Sequence, residues 1–398
     1  MTIKNNFKHT LNASYIGYIT QAIVNNYAPL LFVFFRSRYG ISILQISSLI
    51  VINFGTQLLI DIISVFLIDK TGYKAGAVTA HFSAAAGMIL YCILPSVMDD
   101  KFVALLIPTL FNALGGGLCE VVVSPIVEAC PTENKAANMS ILHSFYCWGQ
   151  LGVILISTLF FGLFGLDNWK YLSIIYAMIP LFNAFYFINV PVNHPLRGKE
   201  GIGIKKLFKI KAVYLLFLMM ICAGASELAM SQWASTFAEE GLKFNKSVSD
   251  LIGPAMFAAL MGISRVIHAK LSDKIKLETY LIISSLICVV CYLTAALSDS
   301  PVISIIACAM TGFSVGVMWP GVYSFSAASI NNSGGALFAL LAFSGDLGCI
   351  SGPALVGVIS DRFSGDFKIG FLISSVFPLL LLISTLILNK KTVDPQYE

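Results

Sequence analysis

Glu120 lies in NALGGGLCEVVVSP, residues 112–125, between three consecutive glycines and a run of valines. A carboxylate among apolar residues is expensive to keep ionised unless it is paired, hydrated or protonated. The chemistry it offers is therefore reversible proton binding. Asn112, Gly116, Glu120 and Ser124 recur every fourth residue and share one face of a helix. The glycines on that face admit a neighbouring helix or leave room for a ligand. A purely structural hydrogen bond is the competing reading for Glu120.

Other ionisable residues stand in similar surroundings. Glu227, in ELAMSQW, has no Lys or Arg near it in sequence and is a second candidate for proton coupling; a residue wetted at an outer mouth is the alternative. Asp346, in FSGDLG, divides evenly between coupling and a buried structural contact. His143 offers a relay partner for Glu120, against the plain reading of a packed histidine. His81 reads as a residue near an interface with no special role. Asn53, Gln57 and Asp61 form a polar stripe at i,i+4, with Asp61 shortly before Asp69. Arg265 holds the corresponding place before Asp273. These four charges, Asp61, Asp69, Arg265 and Asp273, are the gating candidates, although Asp61 also suits substrate contact.

The uncharged candidates suit a neutral solute. Gln21, Asn25, Asn26, Asn53, Gln57, Asn112, Gln150 and Gln232 supply hydrogen bonds, and Trp148, Trp233 and Trp319 supply aromatic faces. Such a mixture matches a sugar ring, with apolar C–H faces and hydroxyl edges, and equally a nucleoside. Trp169 is the ordinary interfacial anchor. Apart from Arg265, no Lys or Arg falls near the middle of an apolar stretch, which disfavours phosphate and carboxylate substrates. Cationic solutes stay open because the buried acids would attract them.

These residues must be carried by membrane helices. Of 398 residues, 57% are hydrophobic and 12% charged, whereas soluble domains carry about 25% charged residues. The apolar residues gather into twelve stretches of membrane-spanning length: 11–35, 43–68, 76–97, 102–127, 138–164, 169–188, 212–237, 249–271, 277–297, 301–329, 334–359 and 367–388. The first is too long for a signal-peptide core and reads as retained. The nine cysteines show no metal-ligand spacing. The expected organisation is an all-α membrane protein: a six-helix bundle over 1–188, a linker over 189–211, and a second bundle over 212–398. Arg197, Lys199, Lys205, Lys206, Lys209 and Lys211 crowd the linker. The positive-inside rule then places it, and both termini, in the cytoplasm. The basic residues form no soluble face for nucleic acid.

The halves read as distant repeats. Gly149-Gln150-Leu151-Gly152 in span 5 matches Gly345-Asp346-Leu347-Gly348 in span 11, and Gly116 beside VVVSP matches Gly312 beside VMWPG. The loop IDKTGYK similarly matches LSDKIK. Parallel six-helix repeats imply a substrate site between them and alternating access.

With these motifs the chain resembles the major facilitator superfamily over nearly its whole length. Asp69-Lys70-Thr71-Gly72-Tyr73-Lys74 resembles the family's loop between its second and third helices, and Asp273-Lys274-Ile275-Lys276 is the weaker counterpart without the glycine. Within the superfamily, the glycine-rich span 4 and FYCWGQLG make it most similar to sugar permeases of the fucose–proton symporter type. That resemblance implies Glu120 as the protonatable carboxylate and Gln150 as a sugar contact. It also implies an acid in span 1, where this chain has Gln21, Asn25 and Asn26, so Glu227 is the substitute. The Gly-Pro signature of multidrug antiporters is absent from QLGVILISTLF, although CISGP occurs in span 11.

The expectation is a secondary transporter in a bacterial-type cytoplasmic membrane. It would take up a small neutral polar solute, such as a sugar, with H+ as coupling ion, acting as a monomer without a cofactor. Export of drugs or cationic metabolites and nucleoside permeation are the alternatives. No nucleotide loop, metal cluster or nucleophile–His–acid arrangement points to an enzyme.

Overall fold

Apolar stretches of this length can satisfy every backbone polar group in a bilayer only by becoming helices. The computed structural model, which describes residues 6–132, 135–193, 204–271, 275–330 and 334–393, has helices and no strand among them. Twelve are long and apolar enough to cross a membrane. They are α1 (Phe7–Tyr39), α2 (Ile43–Ser64), α3 (Tyr73–Val97), α4 (Lys101–Glu128), α5 (Ile141–Phe164) and α6 (Leu166–Asn189), followed by α7 (Lys211–Gly241), α8 (Lys246–His268), α9 (Leu277–Leu297), α10 (Pro301–Ser326), α11 (Leu340–Arg362) and α12 (Phe367–Leu388). The chain divides into two compact units, Met1–Leu196 and Arg197–Glu398. Asp273, residues 194–203 of the linker and the side chain of Asp69 lie outside what is described.

Local sequence sets where helices begin and break. Ser42 and Gln45 cap α2 reciprocally, each side chain bonding the other residue's backbone N–H, as a capping box requires. Asp100 caps α4 by accepting from Val103 N at 3.1 Å. Gly72, at φ 86°, makes the turn from α2 to α3 in a region closed to most side chains. Pro29 introduces a tight turn into α1. In the second unit, α7 breaks at Gln232–Trp233 and ends in a π-helical turn over Phe237–Gly241. The start of α8 has a matching π turn over Leu251–Ala255, around Pro254.

Within each unit, small residues bring backbones together. A Cβ on Gly115 would stand 2.8 Å from Ala80 O of α3. One on Gly348 would stand 2.1 Å from Ile221 O of α7, and one on Gly312 2.1 Å from Phe257 O of α8. In a bilayer such contacts rest on packing rather than on a hydrophobic drive, so backbone approach is what holds these pairs.

Candidate functional site

In the first unit α1, α2 and α4 converge on a buried polar group. Gln21 donates through Nε2 to Glu120 Oε2 at 2.8 Å. One turn away, Tyr18 and Ser124 share a hydroxyl hydrogen bond of 2.8 Å. On the other side of Gln21, Asn25 Oδ1 accepts from Gln57 Nε2 at 2.9 Å and from Asn53 Nδ2 at 3.3 Å. All four amide residues are buried. Asp61 lies one turn beyond Gln57, within electrostatic reach of Glu120.

The glycines explain how these groups come so close. A Cβ on Gly116 would come within 3.3 Å of Gln57 Oε1, and one on Gly117 within 3.0 Å of the Gln57 backbone. The GGG run thus lets α2 lie directly on α4, at the level where Glu120 meets α1. Behind it, Cys119, Val122 and Val123 are fully buried, so α4 presents Glu120 from an apolar wall.

Several expected members lie elsewhere. Asn112 does not share the Glu120 group: its Nδ2 lies 3.7 Å from Met88 Sδ, and its side chain packs on Gly87 of α3. The absent side chain at Gly87 draws the amide toward α3. Asn26 donates one N–H to Ala22 O of its own helix at 2.9 Å rather than to the Glu120 group. His143 lies edge-on to Tyr18, with ring centroids 5.3 Å apart, while Glu120's bond goes to Gln21. Trp148 is 51% exposed, on the same helical stripe as the exposed Ile141 and Leu155. Gln150 is buried in α5 beside Gly149, which packs on Ala22 and Ile19 of α1.

The second unit is arranged differently. Arg265 donates through Nε to Gly316 O of α10 at 2.9 Å and interacts electrostatically with Glu227 of α7. Trp319 sets the edge of its indole into a notch made by Gly345 and Gly224, where a Cβ on Gly345 would fall 2.3 Å from Cη2. Asp346 and Gln232 are buried. Trp233 is a core residue: it is fully buried, packs on Phe367 at 5.3 Å and donates from Nε1 to Pro353 O at 3.0 Å. Its indole thus ties the break in α7 to α11 and α12.

Two buried polar groups were not anticipated from the sequence: one around Asp250, which was not singled out there, and one at His81, which was given no role. At the junction of α7 and α8, Asp250 Oδ1 accepts from Lys246 Nζ at 2.6 Å and from Ser235 Oγ at 2.5 Å. The i,i+4 spacing of Lys246 and Asp250 was legible as a pair, but not its burial. In the first unit, His81 is wholly buried and bonded to Asn183 of α6.

Twelve apolar helices carrying buried carboxylates and amides define a multi-pass membrane protein with polar groups placed inside its spans. The chain belongs to the Major Facilitator Superfamily, a family of transporters, whose model matches residues 14–353. A probable nitrate transporter of Staphylococcus epidermidis is 22% identical over 289 residues, spanning 72% of this chain and 73% of that protein. Three solved structures share the fold. The Escherichia coli fucose:proton symporter, a point variant, aligns with TM-score 0.66 and 16% identity over 95% of this chain and 98% of that one. A variant nucleoside transporter aligns with TM-score 0.76 and 12% identity, covering 95% and 99%. A bacterial homologue of the human lysosomal transporter Spinster, inward-facing and occupied, aligns with TM-score 0.75 and 15% identity, covering 97% of each chain. At these identities the structural likeness bears on fold alone.

Proposed function

We propose that this transporter couples proton entry to the uptake of a small neutral polar solute, a sugar or a nucleoside, by alternating access, with Glu120 as the coupling acid. The observation carrying this reading is the Gln21–Glu120 contact within a group of amides. Glu120 and Asp61 are two acids in one partly buried region within electrostatic reach of each other, and two negative charges there repel more strongly than in water. One proton removes that repulsion and lowers the cost of crossing an occluded state. Gln21 favours the ionised form through its N–H, so release remains possible.

The same chemistry argues against nitrate, which the name of the staphylococcal relative raises. Nitrate is an anion that only accepts hydrogen bonds, and the groups joined here are amides and acids rather than guanidinium forks. A second reading, export of a cationic solute, is favoured by Glu227 and Asp346 in the other unit. We place the protein in a bacterial-type cytoplasmic membrane with both termini inside, working as a monomer.

The test is proton movement in energy-depleted vesicles challenged with sugars, nucleosides, amino acids and lipophilic cations. Alkalinisation outside on adding a sugar or nucleoside, lost in Glu120→Gln, is the expected result. Proton flow with lipophilic cations alone, in the opposite sense, would establish export instead. Solute flux without any proton signal would refute the coupling.

A further inference from the structure

We infer that His81 and Asn183 are positioning residues for the Gln21–Glu120 contact, and that the imidazole does this as a fixed acceptor rather than as a proton carrier. The inference rests on the reading of Glu120 as the coupling acid.

His81 is completely buried in α3, and its Nδ1 lies 2.7 Å from Ala77 O in the preceding turn. A carbonyl only accepts, so Nδ1 carries the hydrogen and Nε2 presents its lone pair. That lone pair faces Asn183 Nδ2 at 2.7 Å, and the same Nδ2 donates to Ala13 O of α1 at 2.9 Å. The amide orientation follows: reversed, Asn183 Oδ1 would point at the Ala13 carbonyl. As placed, Oδ1 has no hydrogen-bond partner, and both N–H groups are engaged. Three helices are therefore joined through one amide nitrogen, which requires an unprotonated imidazole, since a proton on Nε2 would face another donor.

The consequence falls on α1. A Cβ on Gly17, one turn beyond Ala13, would lie 3.2 Å from Val123 of α4 and 3.5 Å from the His81 ring. The helix is thus fastened at Ala13 and clamped at Gly17 between α3 and α4. The next turn carries Gln21, which meets Glu120, and Tyr18, which meets Ser124. The groups around the imidazole from α1, α3 and α6 are Gly17, Ala77, Asn183 and Phe187, all uncharged. The acids nearest the clamped contact are Glu120 itself and Asp61. A change in proton coupling on altering His81 is then expected through Glu120 and the Asp61 beside it.

Two substitutions of similar size separate the cases. Gln places its amide oxygen where Nε2 stood and can accept from Asn183; Asn mimics the Nδ1 side and cannot reach. The readout is the infrared C=O band of protonated Glu120 in the full chain reconstituted in lipid, assigned by its absence in Glu120→Gln and recorded at the acid end of a titration. His81→Asn and Asn183→Leu should move the band to the frequency of a carboxyl that has lost a hydrogen bond, and lower solute-driven proton uptake at least tenfold. His81→Gln should keep both near native. Ser173→Ala, which removes another α6-to-α3 tie, to Met88 O, should leave the band in place. A band unmoved by His81→Asn, or moved equally by Ser173→Ala, overturns the inference while proton-coupled uptake stands. If no panel solute drives proton movement in the native protein, the proposed function falls and takes this inference with it.

Discussion

Gly152 and Gly348 occupy equivalent places in the two GxLG motifs, yet their surroundings differ. A Cβ on Gly348 would lie 2.1 Å from Ile221 O and 2.9 Å from Ala225 N, backbone atoms of α7 that cannot rotate away. An ordinary carbon–oxygen contact is about 3.3 Å, so Gly348→Ala forces α7 and α11 apart by more than ~1 Å. Overpacking of this kind costs about 1–3 kcal/mol. The better helix propensity of Ala returns up to ~1 kcal/mol. The net loss is about 1–2 kcal/mol, or roughly 2–8 °C in Tm at ~2–4 °C per kcal/mol for a unit of this size. At Gly152 a Cβ meets nothing within 4 Å, so Gly152→Ala should hold Tm or raise it by a few degrees.

The cysteines supply the assay. All but Cys92 and Cys349 are buried, so a thiol-reactive dye reports unfolding in detergent. Separation of α7 and α11 should also expose Cys349, beside Gly348, below the main transition in Gly348→Ala. Equal Tm values for the two variants would refute the packing argument, because propensity alone treats both glycines alike.

Further outcomes follow from the polar groups. Gln21→Leu removes a hydrogen bond to a carboxylate, worth about 1.5–3 kcal/mol, and should slow proton-coupled uptake at least ~10-fold in the vesicle assay. Lys246→Met strips Asp250 of its charge partner and should cost about 3–5 kcal/mol, seen as a large fall in Tm that Asp250→Asn in the same chain partly reverses. Trp233→Phe leaves the Pro353 carbonyl without its donor and should lower stability by ~1–3 kcal/mol. Its solute affinity should stay unchanged, as suits a core residue. Trp148→Ala, on an exposed stripe, should leave Tm within a degree or two of native by the same dye assay.

What the sequence disclosed depended on range. Twelve spans were legible because bilayer thickness imposes a length on each apolar run, and their centres survive errors at the edges. The i,i+4 stripe of Asn53, Gln57 and Asp61 also survived in part, since Asn53 and Gln57 do reach a common partner, Asn25. The same periodicity misplaced Asn112. A helix face is a property of one helix, whereas the neighbour it meets changes along its length, and at Asn112 that neighbour is α3 with its gap at Gly87. Trp233 was misjudged for another reason: the residues that bury it, Phe367 and Pro353, lie far away in sequence. His81 was named and given no role because its partner Asn183, and Ala13 to which that amide also bonds, are far away in sequence.

The internal duplication carries the strongest link between fold and chemistry. In the first unit, Asp61 of α2 approaches α4 at the level of Glu120. In the second, Arg265 of α8 approaches α10 at Gly316 and bonds its carbonyl. By the register that matches Gly116 with Gly312, Gly316 is the counterpart of Glu120. The repeated scaffold thus delivers a side chain from the second helix of each half to the fourth helix at the same depth. The charges there are opposite in sense: two acids with an amide partner in one half, a guanidinium on a backbone oxygen near Glu227 in the other. A proton is the cheapest species that can neutralise a pair of acids without occupying space, whereas an arginine beside Glu227 already supplies a compensating charge. Under the proposed coupling, the half that would take up and give back the proton is the first, so Glu120→Gln is the substitution to make before Glu227→Gln.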